Sequence, residues 1–307
     1  MSDHDLLLHE LRPRAFSIAY RMLGTVSEAE DVVQEALLRV HQALERGEVL
    51  ESPRAFITTV TTRLAITELQ SARVRRETYV GDWLPAPLLT DEGDPALRME
   101  SADALSTALL VTLETLSPEQ RAVLLLHDVF DYDYAQIAEV IGKSEDNARQ
   151  LAARARHHVQ ERRPRYQVAR ERHDELVRRF FAAAESGDLA GLEAMLARDV
   201  TMTGDGGGKV PALGRTVSGS ARVAKTLING TRAFGRIAGL TARPAEVNGG
   251  PGMLYLDPDE NVIGVLALDV VDGEITSVDA VVNPDKLGHL GTVGDVVGLL
   301  RDARNGN

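Results

Sequence analysis

The sequence predicts a multidomain chain: two all-α domains, the second a helix-turn-helix, followed by an α+β cone in which a curved sheet wraps around helices. Three observations carry this. Capping signals and apolar stripes at helical spacing fill the first half. Three helix starts follow one another between Ser117 and Val159. After Arg165 the chain turns glycine-rich, with two helical segments and then strand-like runs. The expected divisions are 1–76, an acidic connector at 77–105, 106–165 and 170–307.

Residues 5–24 read as a first helix ending at Gly24. Ser27-Glu28-Ala29-Glu30 forms a capping box that opens a second helix through about Leu44. Val32, Val33, Ala36, Leu37, Val40 and Leu44 make its buried stripe, which leaves Asp31, Gln34, Glu35, Arg39 and Gln42 outward. After Pro53, residues 54–70 read as a third helix despite their β-branched threonines, and it runs into SARVRRE. Arg63, Arg73, Arg75 and Arg76 can hold phosphates there, although a solvated surface has the same composition.

The stretch from Ser117 to Val159 is the most specific. Ser117-Pro118-Glu119-Gln120 is a capping box with proline at the first helical position, and Asp133-Tyr134-Ala135-Gln136 is a second box. Gly142 stands where a left-handed turn needs a residue without Cβ, and Ser144 caps the next helix. That helix keeps Ala148, Leu151, Ala152, Ala155 and Val159 on one side. At about 100° per residue, Asp146, Asn147, Arg149, Gln150, Ala153, Arg154 and His157 fall opposite. Arg149 and Gln150 can each form two hydrogen bonds to a purine edge in a DNA major groove. Lys143, Arg154 and Arg156 suit phosphates on the groove walls. A plain helical hairpin with a charged, solvated face is the alternative.

A net charge of −12 argues against indiscriminate coating of nucleic acid, and its distribution is more informative than its sum. Residues 77–119 hold nine acidic side chains and one basic, Arg98. Residues 138–172 hold nine basic and five acidic, and the arginines at 63–76 make a second basic patch. Two basic patches flanking an acidic connector fit two separate DNA contacts. With no cysteine there is no disulfide, thiolate catalyst or thiolate metal site, and neither metal nor cofactor is expected. The chain shows no membrane span and no secretion signal, so a soluble cytoplasmic protein, monomeric when free, is the expectation.

AYRMLGTVSEAEDVVQEALLRVHQ, then SPRAFITTVTTRLAITELQSARVRRE, then the helix-turn-helix resemble an extracytoplasmic-function (ECF) RNA polymerase sigma factor over roughly the first half of the chain. ETYVGDWLPAPL at 77–88, holding the single tryptophan, is similar to the linker of the SigJ-like subgroup, which carries a fused C-terminal SnoaL-like domain. The resemblance implies partners and roles. Asp31, Gln34 and Glu35 would bind core RNA polymerase. Thr62 and Arg63 would meet the −10 promoter element, with Arg73, Arg75 and Arg76 tracking its backbone. Lys143, Asn147, Arg149, Gln150, Arg154 and Arg156 would serve the −35 element. Aromatic residues are scarce near Thr62, Phe56 being the nearest, which weakens any base-stacking role there.

In the last domain, residues 170–199 give two helices around Gly187-Asp188, and VTMTGDG, GMLYLD, NVIGVLALDVVDG and EITSVDAVVN read as strands. Asp257–Asn261 and Val271–Glu274 are hairpin turns. Asp205-Gly206-Gly207-Gly208-Lys209 can cradle an anion on its backbone N–H groups. Asn283-Pro284-Asp285-Lys286-Leu287 follows the last strand. In the SigJ-like subgroup these two motifs are associated with contact between this domain and the sigma domains. With Trp83, Leu84 and Pro85 of the connector they form the expected intramolecular regulatory site. The only catalytic candidates are Asp205, Lys209, Asp269 and His289, and no spacing forces any two together, so an enzyme is not expected. The reading is an alternative sigma factor that directs promoter-specific initiation and is modulated from within by its C-terminal domain. A ligand-responsive helix-turn-helix regulator would bind operator DNA without polymerase. A SnoaL-like enzyme with a DNA-binding extension would keep turnover without residues 1–165.

Overall fold

The computed structural model describes residues 3–77, 79–90, 106–160 and 170–305. The chain divides into two compact units. The first holds α1 (Asp3–Leu23), α2 (Val26–Glu45), α3 (Pro53–Glu77), most of α4 (Thr107–Leu113), α5 (Pro118–Asp128), α6 (Tyr134–Ile141) and α7 (Glu145–Gln160). The second takes in Tyr79–Gly93 and Ser106–Ala108 of the connector together with the chain from Pro164 onward.

Within the first unit, α1, α2 and α3 bury one face each. Ile18 and Leu23 of α1, Val33, Ala36 and Val40 of α2, and Ile57 and Ala65 of α3 are all buried. The second helix begins earlier than its Ser27 box predicts. Thr25 is its N-cap, and the Thr25 hydroxyl donates to Glu28 (2.6 Å) instead of accepting from the helix. Threonines survive inside α3 because Thr58, Thr59 and Thr67 each return a hydroxyl to the carbonyl four residues back, at 2.8–3.0 Å.

Both boxes around the helix-turn-helix form as the sequence predicts: Ser117 and Asp133 each accept from the N3 amide, while Gln120 and Gln136 accept from the cap amide. Gly142 adopts φ 66°, a left-handed conformation that glycine takes without Cβ strain. Val123, Leu126, Ile137, Val140, Ala148 and Leu151 fill the small core between α5, α6 and α7. This half packs on the first three helices through Arg14 and Arg21, whose guanidinium carbons sit 5.2 and 5.6 Å from the Phe130 ring centre.

The second unit contains α8 (Arg170–Ser186), α9 (Leu189–Met195), α10 (Ser220–Phe234), α11 (Val296–Asn305) and a six-stranded sheet. Its strands are β1 (Leu196–Asp205), β2 (Val217–Ser218), β3 (Thr241–Val247), β4 (Gly250–Leu256), β5 (Val262–Val271) and β6 (Glu274–Val281). They lie in the order β2-β1-β6-β5-β4-β3, antiparallel except for the parallel pair β1–β6. Register shifts at Tyr255/Leu256 and Asp269/Val270 bend the sheet around α8 and α10. Phe180, Val223, Leu227, Leu268 and Val278 make the core beneath it. The second predicted helix of this domain is shorter than expected, since residues 196–200 already belong to β1. Both predicted hairpin turns are present, with Glu260 and Asp272 at positive φ.

Candidate nucleic-acid interface and connector clamp

The buried side of α7 is the predicted one: Ala148, Ala152 and Ala155 are fully buried, with Leu151 and Val159 beside them. Opposite, Arg149, Gln150, Ala153, Arg154 and His157 are exposed and Asn147 is half-buried. Arg149 pairs with Glu145 one turn back, and its guanidinium lies 4.8 Å from the Tyr134 ring centre. An exposed pair of this kind is worth little and exchanges readily for another acceptor. Among the described residues, the side chains of Gln150 and Arg154 make no hydrogen bond or ion pair.

Two cations expected on phosphates are engaged inside the domain instead. Arg156 donates to Asp128, to the Tyr134 hydroxyl (3.0 Å) and to His127 Nδ1 (2.9 Å), tying α7 to α5 and α6. Hydrogen bonding to the Asp128 carboxylate holds its guanidinium even further toward the charged form than usual. Lys143 is paired with Glu119 at 3.0 Å.

The −10 candidates are placed differently from expectation. Thr62 is fully buried, and its hydroxyl has no hydrogen-bond partner among the described residues. It therefore reaches no base in this arrangement, because α3 turns that face inward. Arg63 donates from Nε to the Val140 carbonyl (2.8 Å) and from Nη2 to the Glu139 carbonyl (2.9 Å). Those carbonyls belong to the last turn of α6, where the helix dipole favours a cation. Arg73, Arg75 and Arg76 fall on the last turns of α3, and their side chains lie outside the described residues.

On α2, Asp31 and Gln34 are exposed and Glu35 is half-buried, paired with Arg39 at 2.9 Å. Leu38, which sequence reasoning passed over, continues this stripe one turn on and is 48% exposed. The signal was available: an apolar side chain at i+7 from Asp31 lies on the polar face.

The connector motif and both C-terminal motifs meet in the second unit. Asp205, at the end of β1, is wholly buried and accepts four hydrogen bonds. Oδ1 takes the Tyr79 hydroxyl (2.5 Å) and the Gly207 amide (3.0 Å). Oδ2 takes the Leu84 amide (2.9 Å) and the Lys286 ammonium (2.6 Å). Lys286 also donates to the Leu84 carbonyl, and its Nζ lies 4.2 Å from the Trp83 ring centre. One ion pair thus grips both the amide and the carbonyl of Leu84, while tryptophan covers the cation. Asn283 donates to the Tyr79 oxygen at 2.8 Å. Burial, and then the Asp205 hydrogen bond, push the Tyr79 phenol well above its ordinary range, so it remains a donor.

The glycines of the DGGGK loop are needed for close approach. Gly207 has φ 60°, and a Cβ there would stand 2.4 Å from Asn283 Nδ2. The loop therefore folds its amide onto the chain's own Asp205 carboxylate. Lys209 stays at the surface, paired with Asp285 at 2.7 Å.

Further along, Leu88 donates to Asn248 Oδ1 (2.9 Å), the Asn248 amide donates to the Leu88 carbonyl (2.8 Å), and Leu89 bridges Val247 antiparallel. The connector makes an isolated antiparallel bridge along the β3 edge, which covers backbone groups that an edge strand leaves open. His289 Nε2 lies 2.7 Å from the Pro87 carbonyl, and burial lowers its pKa against the pull of that carbonyl, leaving a neutral ring that donates. Asp269 accepts the Ala108 amide at 3.2 Å. Asp205, Asp269 and His289, three of the four residues nominated for catalysis, are connector ligands.

Asp269 and Asp279 are both buried and share the Ser277 hydroxyl, at 2.8 and 3.0 Å. Burial, and then the charge of Asp269, push Asp279 up to about 7. Burial raises Asp269 as well, against hydrogen bonds from Ser277 and Ala108. The stability that a raised carboxyl pKa confers is present below the unfolded value, near 4, and is lost as pH rises through the folded value. Urea melts should show stability falling between pH 4 and pH 8, with a loss on the order of 4 kcal/mol from Asp279 alone. Asp279→Asn should flatten that dependence, and an unchanged slope would contradict the assignment.

With this geometry in view, the comparisons are specific. The sigma-70 region 2 family model matches residues 7–75, and the sigma-70 region 4 model matches residues 106–159. The chain is 40% identical over 286 residues to the ECF RNA polymerase sigma factor SigJ of Mycobacterium tuberculosis H37Rv, with 90% of each chain covered. It is 34% identical over 293 residues to the probable ECF sigma factor SigI of the same strain, covering 94% of this chain and 97% of that one. The crystal structure of Mycobacterium tuberculosis SigJ superposes with a TM-score of 0.74 at 38% identity, covering 91% of this chain and 96% of that one. Two helical domains matching sigma regions 2 and 4, with relatives spanning nearly the whole length, place this chain in the ECF family of RNA polymerase sigma factors, which work in transcription initiation on promoter DNA.

Proposed function

We propose that sigma domain 2 lies within residues 1–76 and sigma domain 4 within 106–165, and that the domain at 170–307 modulates initiation by gripping the connector between them. The observation that carries this is the buried Lys286–Asp205 pair closed on both polar groups of Leu84. A buried pair with every bond satisfied is a switchable hold: strong when complete, costly when one member is lost. Arg149 and Gln150 are the proposed readers of the −35 element, and Arg154 a phosphate contact. Asp31, Gln34, Glu35 and Leu38 make the proposed polymerase surface. Arg63 is proposed to leave the α6 carbonyls and meet the −10 element once polymerase separates the helical domains.

The experiment is run-off transcription with core polymerase and purified chain, using single-base variants of the −35 element. Arg149→Ala should lose about 1–3 kcal/mol of discrimination at one base pair. Arg154→Ala should weaken all sequences alike and reduce the salt slope by about 1. If their effects are exchanged, the helix is rotated from the proposed pose. Tight operator binding without polymerase would instead favour an ordinary helix-turn-helix regulator.

A further inference from the structure

The clamp leaves one large feature of the second unit unused: a cavity of about 660 Å³ between α8, α10 and the sheet. We propose that it is a binding site for an uncharged, ring-sized lipophile carrying a carbonyl or hydroxyl oxygen. Its size lies within the usual range for small-molecule sites, roughly 300–1,000 Å³. Phe181, Leu227, Phe234, Met253 and Leu266 give it apolar walls. Protein interiors close over unneeded space, because voids forfeit dispersion contacts. Here glycines keep the space open: Gly230, on α10, has nothing within 4 Å of the position a Cβ would take.

Polar groups in the cavity are few, and they select. Tyr255 reaches it from β4, its ring 6.3 Å from that of Phe234, and its hydroxyl has no hydrogen-bond partner among the described residues. Burial, and then the charge of Glu185, push this phenol up to about 12, so it is a donor at any physiological pH. The residue is half-buried, and a ligand oxygen in the cavity would supply the acceptor that its hydroxyl lacks. Glu185, an exposed residue that also lines the cavity, sets a negative charge beside it and disfavours carboxylates. The ligand class follows from these groups: an apolar ring system, no negative charge and one accepting oxygen.

The test uses the full-length chain with the neutral fluorophore N-phenyl-1-naphthylamine, displaced by menadione, by 1-methylnaphthalene and by 1-naphthoate. Saturable fluorescence is expected, with menadione competing at least tenfold better than 1-naphthoate. Tyr255→Phe, which preserves the ring, should weaken menadione about tenfold and leave 1-methylnaphthalene unchanged. Ala280→Phe, which fills the cavity from β6, should abolish the signal while circular dichroism stays that of the folded chain. Fluorescence that does not saturate, 1-naphthoate binding as tightly as menadione, or menadione indifferent to Tyr255→Phe would each overturn the proposal.

Discussion

Replacing Lys286 by methionine is expected to free the connector at a cost of about 3–5 kcal/mol, the usual penalty for removing one member of a buried pair. Lys286 is 6% exposed and Asp205 is 0% exposed, so the abandoned carboxylate has no water to turn to. It would keep the Tyr79, Gly207 and Leu84 donors but lose its counter-charge, and the Leu84 carbonyl would lose its donor. Trp83 would lose the cation it stacks on. Hydrogen exchange at the amides of residues 79–90 is the direct measurement, with Leu84 and Thr90 expected to speed up most. Asp205→Asn together with Lys286→Met removes both charges and should recover part of the loss. Protection of the connector unchanged in the single variant would show that the ion pair is incidental to the hold.

Arg121→Ala should destabilise the helical unit by a similar amount, about 3–5 kcal/mol. Arg121 is 2% exposed and donates to the carbonyls of Leu113 (2.9 Å) and Met22 (2.5 Å) and to Glu114 (2.7 Å). Alanine would take the donor from the Met22 carbonyl and the counter-charge from a largely buried carboxylate, while the Leu113 carbonyl would keep only the Leu116 amide (3.0 Å). Lysine keeps the charge but not the planar fork, and should restore less than half. Because Met22 lies on α1 and Arg121 on α5, the same change loosens the packing of the two helical domains. The bonds from Arg63 to α6 share that packing. Urea denaturation of the full chain measures the cost, and a loss below about 1 kcal/mol would contradict this reading of Arg121.

What could be read from sequence follows the range of the interaction. Capping boxes at Ser117 and Asp133 and the turn at Gly142 are settled within a few residues, and they formed as expected. The start of α2 slipped by two residues because Thr25 and Ser27 carry equivalent capping chemistry, and the local pattern does not rank them. Leu196, Ala197 and Val200 fit a helical stripe as well as a strand, and only pairing with β6 decides between them. The edge strand β3 holds Pro244 and mostly exposed residues, and α10 holds a glycine at 230, so neither stood out.

Side-chain roles at the candidate site divide the same way. The outward face of α7 was legible from its period. That Arg156 meets Asp128, 28 residues away, and Arg63 meets Val140, 77 away, depends on how helices pack. The connector clamp is an intermediate case. WLPAPL, DGGGK and NPDKL were each singled out in the sequence, but their convergence around Asp205 joins residues as far as 202 positions apart. Asp269 and His289 show the hazard of reading titratable groups alone. Their shifted pKa values come from burial, which outweighs the opposing hydrogen bonds to backbone groups of the connector.

The central claim is that the C-terminal domain acts on initiation through its grip on the connector. Its most direct test is the binding of core RNA polymerase to wild-type and Lys286→Met chains at equal, sub-saturating concentration, read together with promoter-specific run-off product. The account predicts more holoenzyme and more transcript from Lys286→Met, because polymerase no longer works against the clamp. A variant whose connector amides exchange freely, yet which binds core and initiates as the wild type does, would contradict it.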